Sequence, residues 1–278
     1  MSSIKFICPK CRIDLHQHNE LECTLKIEKT GRSLSYDFNL LLLKKYKNRY
    51  LLNQVLNNNA KMVYDRYPLE NLAVGGKNSA TSENIRERLL QMQTNGASIS
   101  LIDIGCGPQD IPDYLNGLDN NIEVYGLDII PNSNFRGFRI IGCSEFLPFS
   151  SKQFDIVIFS GSLDQVTDVK DSIAESIRIL KEDGHILVKL NRDPTFLDHL
   201  NKIIRRFAKS IYFGVNHYRY TIYKNDLVLY RPLFAIDSFH KKLITKEHVI
   251  RQMKKNGFSV IHNTNNTGDR VIEFRRLK

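Results

Sequence analysis

Two glycines near the middle of the chain follow an apolar run. Leu101–Ile104 reads Leu-Ile-Asp-Ile, and Gly105 and Gly107 come directly after it. This order is typical of a buried parallel strand that ends in a tight turn, where glycine lets the backbone approach a ligand closely. We expect a helix over Ile111–Leu118 whose first amides face that ligand. The alternative is an ordinary strand–helix turn that binds nothing.

The residues after this turn argue against a pyrophosphate ligand. A dinucleotide site of the form Gly-x-Gly-x-x-Gly needs glycine at position 110, but this chain has Asp110 there. A carboxylate at the start of the helix repels phosphate, so we expect a nucleoside without phosphates.

Two carboxylates accompany the turn. Asp128 ends the next apolar run, where a carboxylate can accept hydrogen bonds from both hydroxyls of a ribose. Asp103 lies inside an apolar strand and must be satisfied there, either by amides of the turn or, through water, by a ligand ammonium. Together these residues predict an adenosyl compound. The alternatives are a capping role for Asp128 and a turn-bracing role for Asp103.

Three cysteines near the start of the chain have the spacing of metal ligands. Cys8 and Cys11 form a Cys-x-x-Cys pair and Cys23 follows, but a lysine stands where a second pair would end. We expect either a ribbon that no longer holds metal, or a zinc site whose fourth ligand is one of two histidines, His16 or His18. The total of five cysteines, an odd number, argues against a disulfide framework.

A sheet must position the turn. Apolar segments alternate with helical patterns after residue 98, which predicts an α/β fold with a doubly wound, Rossmann-like sheet and helices on both faces. The predicted strands are Ser98–Ile104, Ile122–Asp128, Phe138–Ile141, Phe154–Ser160 and His185–Leu190. We also expect a helix over Val169–Leu180 and a final pair of strands over Phe258–Ile261 and Arg270–Phe274.

Two domains are predicted. Residues 1–60 are expected to form a small unit, a zinc-ribbon-like segment followed by an amphipathic helix over residues 38–57. Residues 61–278 are expected to form the main domain, with a basic and aromatic insertion at about 191–240 that caps the carboxyl ends of the strands. Further helices are predicted over residues 60–67, 83–93 and 245–256.

Charge is distributed unevenly along the chain. The net charge of +10 includes +5 for residues 1–60, −7 for residues 101–190 and +11 for residues 191–278. Basic flanks suit an anionic substrate or nucleic acid, although a solvated lysine-rich surface gives the same balance. The sequence has neither an apolar signal region nor a run of ~20 apolar residues, so we expect a soluble cytoplasmic protein without a membrane span.

Four motifs in order resemble those of a known family. Leu101–Pro108 resembles motif I of the class I S-adenosylmethionine-dependent methyltransferases, and Val124–Asp128 resembles their acidic second motif. Ser144–Phe149 together with Phe154–Val157 resembles a block of the quinone-biosynthesis-like branch. Ile179–His185 resembles the turn that precedes the fifth strand of that branch. The resemblance implies a methyltransferase fold and S-adenosylmethionine as the cofactor.

The resemblance also implies a role for individual residues. Gly105 and Gly107 would face the methionine part of the cofactor, and Asp128 would hold the ribose. Cys143 stands where the family usually has an aspartate that binds the adenine amine, so adenine recognition would rest on backbone groups. The remaining implied contacts, at the adenine and near the sulfonium, are Ile129, Ser144, Glu145, Phe146 and Ser160.

Methyl transfer from a sulfonium mainly requires alignment of the acceptor, because the methyl group is already activated. A base helps when the acceptor is a hydroxyl. Residues 162–168 resemble a segment of members that modify glycans and small molecules, with Gln165 in place of its histidine. Phe239-His240 resembles a Phe-His pair that recurs before the last helix in the family. The candidate bases are His240, His217 and Asp164.

These observations favour a methyltransferase that acts on a hydroxyl or similar nucleophile of a small molecule or glycan precursor. The second hypothesis is an RNA methyltransferase, because the flanks are basic and Cys8–Cys23 resembles a ribbon that precedes some bacterial members, including ribosomal-RNA guanine methyltransferases. The third is a binding protein that keeps the fold without catalysis, which Cys143 and Gln165 motivate.

Overall fold

The chain folds around one large mixed sheet and carries a second, smaller sheet. A computed structural model describes residues 4–19, 23, 25–45, 80–93, 98–107, 110–115, 118, 121–129, 134–164, 166, 168–190, 218–223, 227–232, 242–264 and 270–277. No helix within these ranges is long and apolar enough to cross a membrane.

The centre of the large sheet is parallel, as predicted. Its strands lie side by side in the order β5-β4-β3-β6-β7. These strands are β3 (Ile99–Ile104), β4 (Ile122–Asp128), β5 (Phe138–Ile141), β6 (Phe154–Ser160) and β7 (Leu180–Leu190). Every residue of β3 is buried, as expected for a strand covered on both faces. The winding reverses at β3, and ligands of such sheets bind beyond the carboxyl ends of the strands at this switch point.

Antiparallel strands complete the sheet beyond β7. Strand β12 (Arg270–Arg276) pairs with β7, and β11 (Phe258–Asn263) pairs with β12. The predicted pairing of the two final strands is therefore confirmed. Strand β7 begins earlier than predicted, directly after the preceding helix, with a register shift opposite Phe154 and Ile156.

An N-terminal hairpin extends the sheet beyond β5. Strand β2 (Ser33–Tyr36) pairs parallel with β5, and β1 (Ile27–Thr30) pairs antiparallel with β2. The ring of Phe6 packs against Phe138 and Phe149, with centroids 4.9 Å and 5.3 Å away. The described N-terminal residues thus share a sheet and a core with the main domain, unlike the separate unit that we expected, because the edge of β5 offers unpaired backbone groups.

Four helices are described, and their ends follow local capping rules. They are α1 (Phe38–Lys45), α2 (Ala80–Met92), α3 (Val169–Ile179) and α4 (Lys246–Lys255). The side chain of Asp168 caps α3 by accepting hydrogen bonds from the amides of Lys170 and Asp171. Helix α4 begins after the cap residue Thr245, and Gly257 follows it with a φ of +79°. The predicted helix over residues 60–67 lies outside the described residues.

The helix predicted over Ile111–Leu118 is wrong over its described residues. Only Asp113–Leu115 is helical, as a single 3₁₀ turn in which the amide of Leu115 donates to the carbonyl of Pro112 at 2.9 Å. Asn116 and Gly117 come next in the sequence, and both have low helix propensity. Beyond the glycine turn, the described residues therefore offer no long helix to face a ligand.

A second sheet lies within and just after the predicted insertion. Strands β8 (Tyr218–Tyr223), β9 (Leu227–Pro232) and β10 (Lys242–Ile244) pair antiparallel in the order β10-β9-β8. The rest of residues 191–240 lies outside the described residues, so the capping role of this insertion stays a prediction.

A buried carboxylate connects α2 to the sheet. Glu273 on β12 is fully buried, and one of its oxygens accepts a hydrogen bond from Nε of Arg88 at 2.6 Å. The other oxygen lies 2.6 Å from Nδ1 of His185 on β7. Burial alone would raise the pKa of Glu273, but the hydrogen bonds from His185 and Arg88 lower it below its ordinary value. The carboxylate is therefore charged at neutral pH and compensates the arginine.

Replacing this carboxylate should destabilise the fold. Glu273→Gln leaves the half-buried Arg88 guanidinium without its counter-charge, so we expect the free energy of unfolding to fall by about 3 kcal/mol. Urea denaturation followed by circular dichroism measures this change. Glu182→Gln is the control, because its ion pair with Lys152 is exposed to solvent, and its urea midpoint should equal that of the wild type. Equal midpoints for all three proteins would contradict the argument.

Candidate functional site

The glycine turn after β3 forms one wall of the candidate site. Gly105 and Gly107 have φ values of +79° and +70°, which residues with a side chain rarely adopt. A Cβ atom on Gly105 would lie 2.3 Å from the Cβ of Ser162. Among the described residues, no heavy atom outside the immediate neighbours lies within 4 Å of a Cβ placed on Gly107. Gly105 therefore serves close packing, and Gly107 leaves space at the turn.

Asp128 lies beside this turn at the end of β4. Its Oδ2 accepts a hydrogen bond from the amide of Gly107 at 2.8 Å. Its own carbonyl accepts a hydrogen bond from the amide of Gly142 at 3.1 Å. The structure thus brings the predicted ribose-binding carboxylate and the second glycine of the turn into direct contact at the switch point.

Asp103 is buried on β3, directly behind the turn. Burial raises its pKa to about 7, and the negative charge of Asp128 adds to this rise, whereas the neighbouring hydroxyl of Tyr114 and the positive charge of Arg139 act against it. Asp103 and Tyr114 therefore lie side by side, but within the described part of the chain Oδ1 of Asp103 and the hydroxyl of Tyr114 make no hydrogen bond of ordinary length and angle. Unsatisfied buried polar atoms are costly, so both atoms are suited to a polar ligand group or an ordered water. This fits the ammonium predicted for the methionine part of the cofactor.

Arg139 was missed by the sequence analysis. It is only 2% exposed on β5, and its Nη1 donates to the carbonyl of Gly107 at 2.9 Å. The same nitrogen lies 2.7 Å from Sγ of Cys106. Its positive charge compensates the two carboxylates of the site. The signal was present in the sequence, because an arginine interrupts the otherwise apolar run of β5.

The polar side chains of the segment after β5 form hydrogen bonds inside the protein. The hydroxyl of Ser144 lies 2.7 Å from that of Ser172 on α3, and Oε1 of Glu145 accepts a hydrogen bond from the amide of Asp168 at 3.0 Å. Both side chains are buried. These two side chains are thus occupied inside the protein, whereas the ring of Phe146 is half-buried and Nζ of Lys45 lies 5.3 Å from its centroid.

Some of the remaining predicted residues lie at the site, and the others lie outside the described residues. Ile129 and Ser160 are half-buried at the carboxyl ends of β4 and β6. Asp164 is buried in the segment after β6, which the hydroxyl of Ser162 joins to the carbonyl of Ile104. The other two candidate bases, His217 and His240, lie outside the described residues. The catalytic base thus stays a prediction.

The predicted metal ligands come together near the N-terminus. One ligand atom from each of Cys8, Cys11, His18 and Cys23 lies within 4.8 Å of the others. Sγ of Cys8 and Sγ of Cys23 are 3.7 Å apart. A tetrahedral zinc with Zn–S bonds of ~2.3 Å places its sulfurs roughly 3.8 Å apart, so this spacing fits. Nε2 of His18 is buried without a hydrogen-bond partner among the described residues, as a free ligand atom would be.

Comparison with known proteins matches the part of the chain that follows the N-terminal hairpin. The methyltransferase domain family matches residues 78–263, so the cysteine cluster and the hairpin lie outside the match. A ubiquinone/menaquinone biosynthesis C-methyltransferase from Stutzerimonas stutzeri is 29% identical over 135 residues, 49% of this chain and 50% of that protein. An uncharacterized protein from Methanocaldococcus jannaschii is 27% identical over 184 residues, 63% of this chain and 68% of that protein. The chain spans about half the length of the curated C-methyltransferases it matches.

Among solved structures, the CurJ carbon methyltransferase is similar in fold. It superimposes with a TM-score of 0.53 at 16% identity, covering 86% of this chain and 70% of that chain. The predicted Rossmann-like methyltransferase sheet is thereby confirmed. Since the family match covers more than half of the sequence, the chain belongs to the methyltransferase domain family, as its resemblance to class I S-adenosylmethionine-dependent methyltransferases predicts.

Proposed function

We propose that the chain is an S-adenosylmethionine-dependent methyltransferase that acts on a small molecule. The observation that carries this proposal is the arrangement at the switch point. There, three groups lie together: a buried carboxylate (Asp103) with one oxygen that makes no hydrogen bond of ordinary geometry to any described residue, a glycine (Gly107) with open space among the described residues, and a fixed carboxylate (Asp128). These groups suit an ammonium, a close backbone approach and a ribose, the three features of the methionine and sugar parts of this cofactor.

The residues of the chain would bind and orient, while the cofactor supplies an activated methyl group. Asp128 accepts hydrogen bonds from the ribose hydroxyls, and Asp103 accepts them from the ammonium, directly or through water. Ser160 ends β6, and the resemblance implies that it would lie near the sulfonium. Because such a methyl group needs alignment more than proton transfer, these contacts supply most of what the reaction requires. Asp164, His217 and His240 remain candidates for a base.

The acceptor that we infer is a hydroxyl or similar nucleophile of a small molecule or glycan precursor, on the resemblance of residues 162–168. A carbon acceptor is the second candidate, because the curated relatives are named as C-methyltransferases. The RNA alternative has the basic flanks in its favour. A screen of radiolabelled methyl transfer to these three acceptor classes distinguishes them.

Removing the ribose carboxylate should weaken cofactor binding. Asp128→Asn replaces a charged acceptor by a neutral one, so we expect the dissociation constant for S-adenosylhomocysteine to rise about tenfold or more in calorimetry. Asp183→Asn is a matched control, because Asp183 is an exposed carboxylate on β7 that pairs with Arg275. Its binding should equal that of the wild type. Absence of S-adenosylhomocysteine and S-adenosylmethionine binding by the wild type would overturn the proposed function.

Asp103 should make cofactor binding depend on pH. Its pKa is about 7 in the free protein, and an ammonium favours the ionised form, so binding releases a proton below that pH. We expect the affinity for S-adenosylhomocysteine to fall about tenfold between pH 8 and pH 6. Calorimetry in buffers of different ionisation enthalpy measures the released proton directly. Asp103→Asn should bind without this proton release, and persistence of the release in the variant would contradict the assignment.

Ionisation of Asp103 favours cofactor binding but lowers the stability of the free protein. The folded state holds the proton of Asp103 more tightly than the unfolded chain does, because the pKa is raised from 3.8 to about 7. The contribution of Asp103 to stability is therefore lost as the pH rises from about 4 to about 7. Thermal unfolding of the wild type and Asp103→Asn without cofactor should show this difference in slope.

We also propose that Cys8, Cys11, His18 and Cys23 hold a structural zinc. The close approach of the four ligand atoms supports this proposal, as does the buried Nε2 of His18, which has no hydrogen-bond partner in the part of the chain that the structure describes. A closed set of four ligands leaves no open position for a substrate, so the metal would stabilise the fold and take no part in methyl transfer.

The two neighbouring histidines offer a matched test of the metal site. We expect His18→Ala to lose bound zinc and His16→Ala to retain about one zinc per chain, because only His18 belongs to the cluster. Metal analysis of the purified proteins measures the content, and cobalt substitution reports thiolate ligation by its charge-transfer absorption. A wild type that binds neither metal, or equal zinc in both variants, would contradict the proposal.

A further inference from the structure

We propose that Tyr36 is a positioning residue for recognition of the cofactor base. From the N-terminal hairpin it fixes the base loop (residues 142–147), which follows β5 at the carboxyl edge of the sheet. The inference rests on the cofactor site proposed above and extends that site to a part of the chain outside the family match at residues 78–263.

The hydroxyl of Tyr36 holds the loop at both of its ends. It donates a hydrogen bond to the carbonyl of Phe146 at 2.5 Å and accepts one from the amide of Cys143 at 3.2 Å. The carbonyl of Cys143 also lies 3.2 Å away. A phenol has one proton and can also accept, so a single hydroxyl joins two backbone positions of the loop. Burial raises the pKa of Tyr36 well above its ordinary value, which keeps the donor protonated.

The ring of Tyr36 packs directly on the loop backbone. A Cβ atom on Gly142 would lie 2.5 Å from Cε1 and Cζ of this ring, so the contact needs glycine there. The amide of Gly142 donates in turn to the carbonyl of Asp128. One side chain of the hairpin thus contacts the base loop next to its hydrogen bond with the backbone of Asp128, the residue proposed to bind the ribose.

Other contacts from the N-terminal residues hold the far end of the loop. The guanidinium of Arg12 donates two hydrogen bonds of 3.0 Å to the carboxylate of Glu175. That carboxylate accepts the amide of Leu147 at 3.0 Å. The amide of Ile7 donates to the carbonyl of Pro148 at 3.1 Å. These contacts brace residues 147 and 148, in the first case through Glu175, and Tyr36 braces residues 143 and 146.

Base recognition depends on this bracing because of the side chains in the loop. Ser144 and Glu145 bond to α3 and its cap, and residue 143 is a cysteine. Recognition of an adenine amine is then left to backbone carbonyls and amides, whose hydrogen bonds weaken steeply as distance and angle change. Whatever fixes the loop backbone also sets the preference for the base, and the hydroxyl of Tyr36 does so.

The test compares two cofactor products that differ only in the base. Tyr36→Phe keeps the ring and removes the hydroxyl. We expect its dissociation constant for S-adenosylhomocysteine to rise about tenfold, whereas binding of S-inosylhomocysteine, which lacks the adenine amine, should change little. The decisive quantity is the dissociation constant for S-inosylhomocysteine divided by that for S-adenosylhomocysteine. A general loss of stability would weaken the binding of both ligands alike and leave this ratio unchanged.

Tyr125→Phe is the matched control for this ratio. Its hydroxyl bonds to Glu123 at 2.7 Å, on the same sheet but away from the base loop, so the ratio should equal that of the wild type. Gly142→Ala is a second variant, in case Tyr36→Phe folds poorly. It keeps the hydroxyl of Tyr36 but displaces the ring, so it should lower the ratio as Tyr36→Phe does. Wild-type binding with an unchanged ratio in these variants overturns this inference alone. Absence of wild-type binding overturns the proposed function and this inference with it.

Discussion

The glycine turn after β3 lies among three ionisable side chains, two of them buried. The carboxylates of Asp103, which is buried, and of Asp128, which is half-buried, approach the turn from neighbouring strands, and the buried guanidinium of Arg139 reaches it from the next strand along. Buried charges are tolerated only when they are paired or hydrogen-bonded, and the strand order β5-β4-β3 brings these three side chains together. One oxygen of Asp103 stays unsatisfied among the described residues. The resulting site suits a cationic, hydroxyl-bearing ligand better than a phosphate.

The edge of the sheet next to this site is covered by the N-terminal hairpin. Strand β2 pairs with β5 along Ser33–Ser35, and its last residue, Tyr36, reaches the base loop. The added strands therefore do more than protect an open edge, because Tyr36 also braces the backbone of the proposed base loop. Cys8, Cys23 and Tyr36 belong to the same hydrophobic core as Leu147 of that loop.

The sequence was most informative where signals are local. Alternating apolar segments and two glycines predicted β3 to β6 to within one residue, because strand periodicity and positive φ are encoded by neighbouring residues. Long-range contacts were not predictable in this way. Tyr36 meets a loop 107 residues further along the chain, and Ser144 turns toward α3 because a buried serine hydroxyl lies there. The helix expected after the turn was wrong over its described residues, where Asp113–Leu115 forms a single 3₁₀ turn.

Parallel pairing between β2 and β5 also has a consequence for the order of folding. The hairpin leaves the ribosome long before its partner strand, because Ser33 pairs with Arg139. The cysteine cluster, whose ligands all lie between residues 8 and 23, can close as soon as those residues emerge. The pairing of β2 with β5 is therefore a late step of high contact order, since the hairpin stays without this partner until β5 has been made. Binding of the proposed cofactor would depend on that step, because Tyr36 of the hairpin braces the proposed base loop.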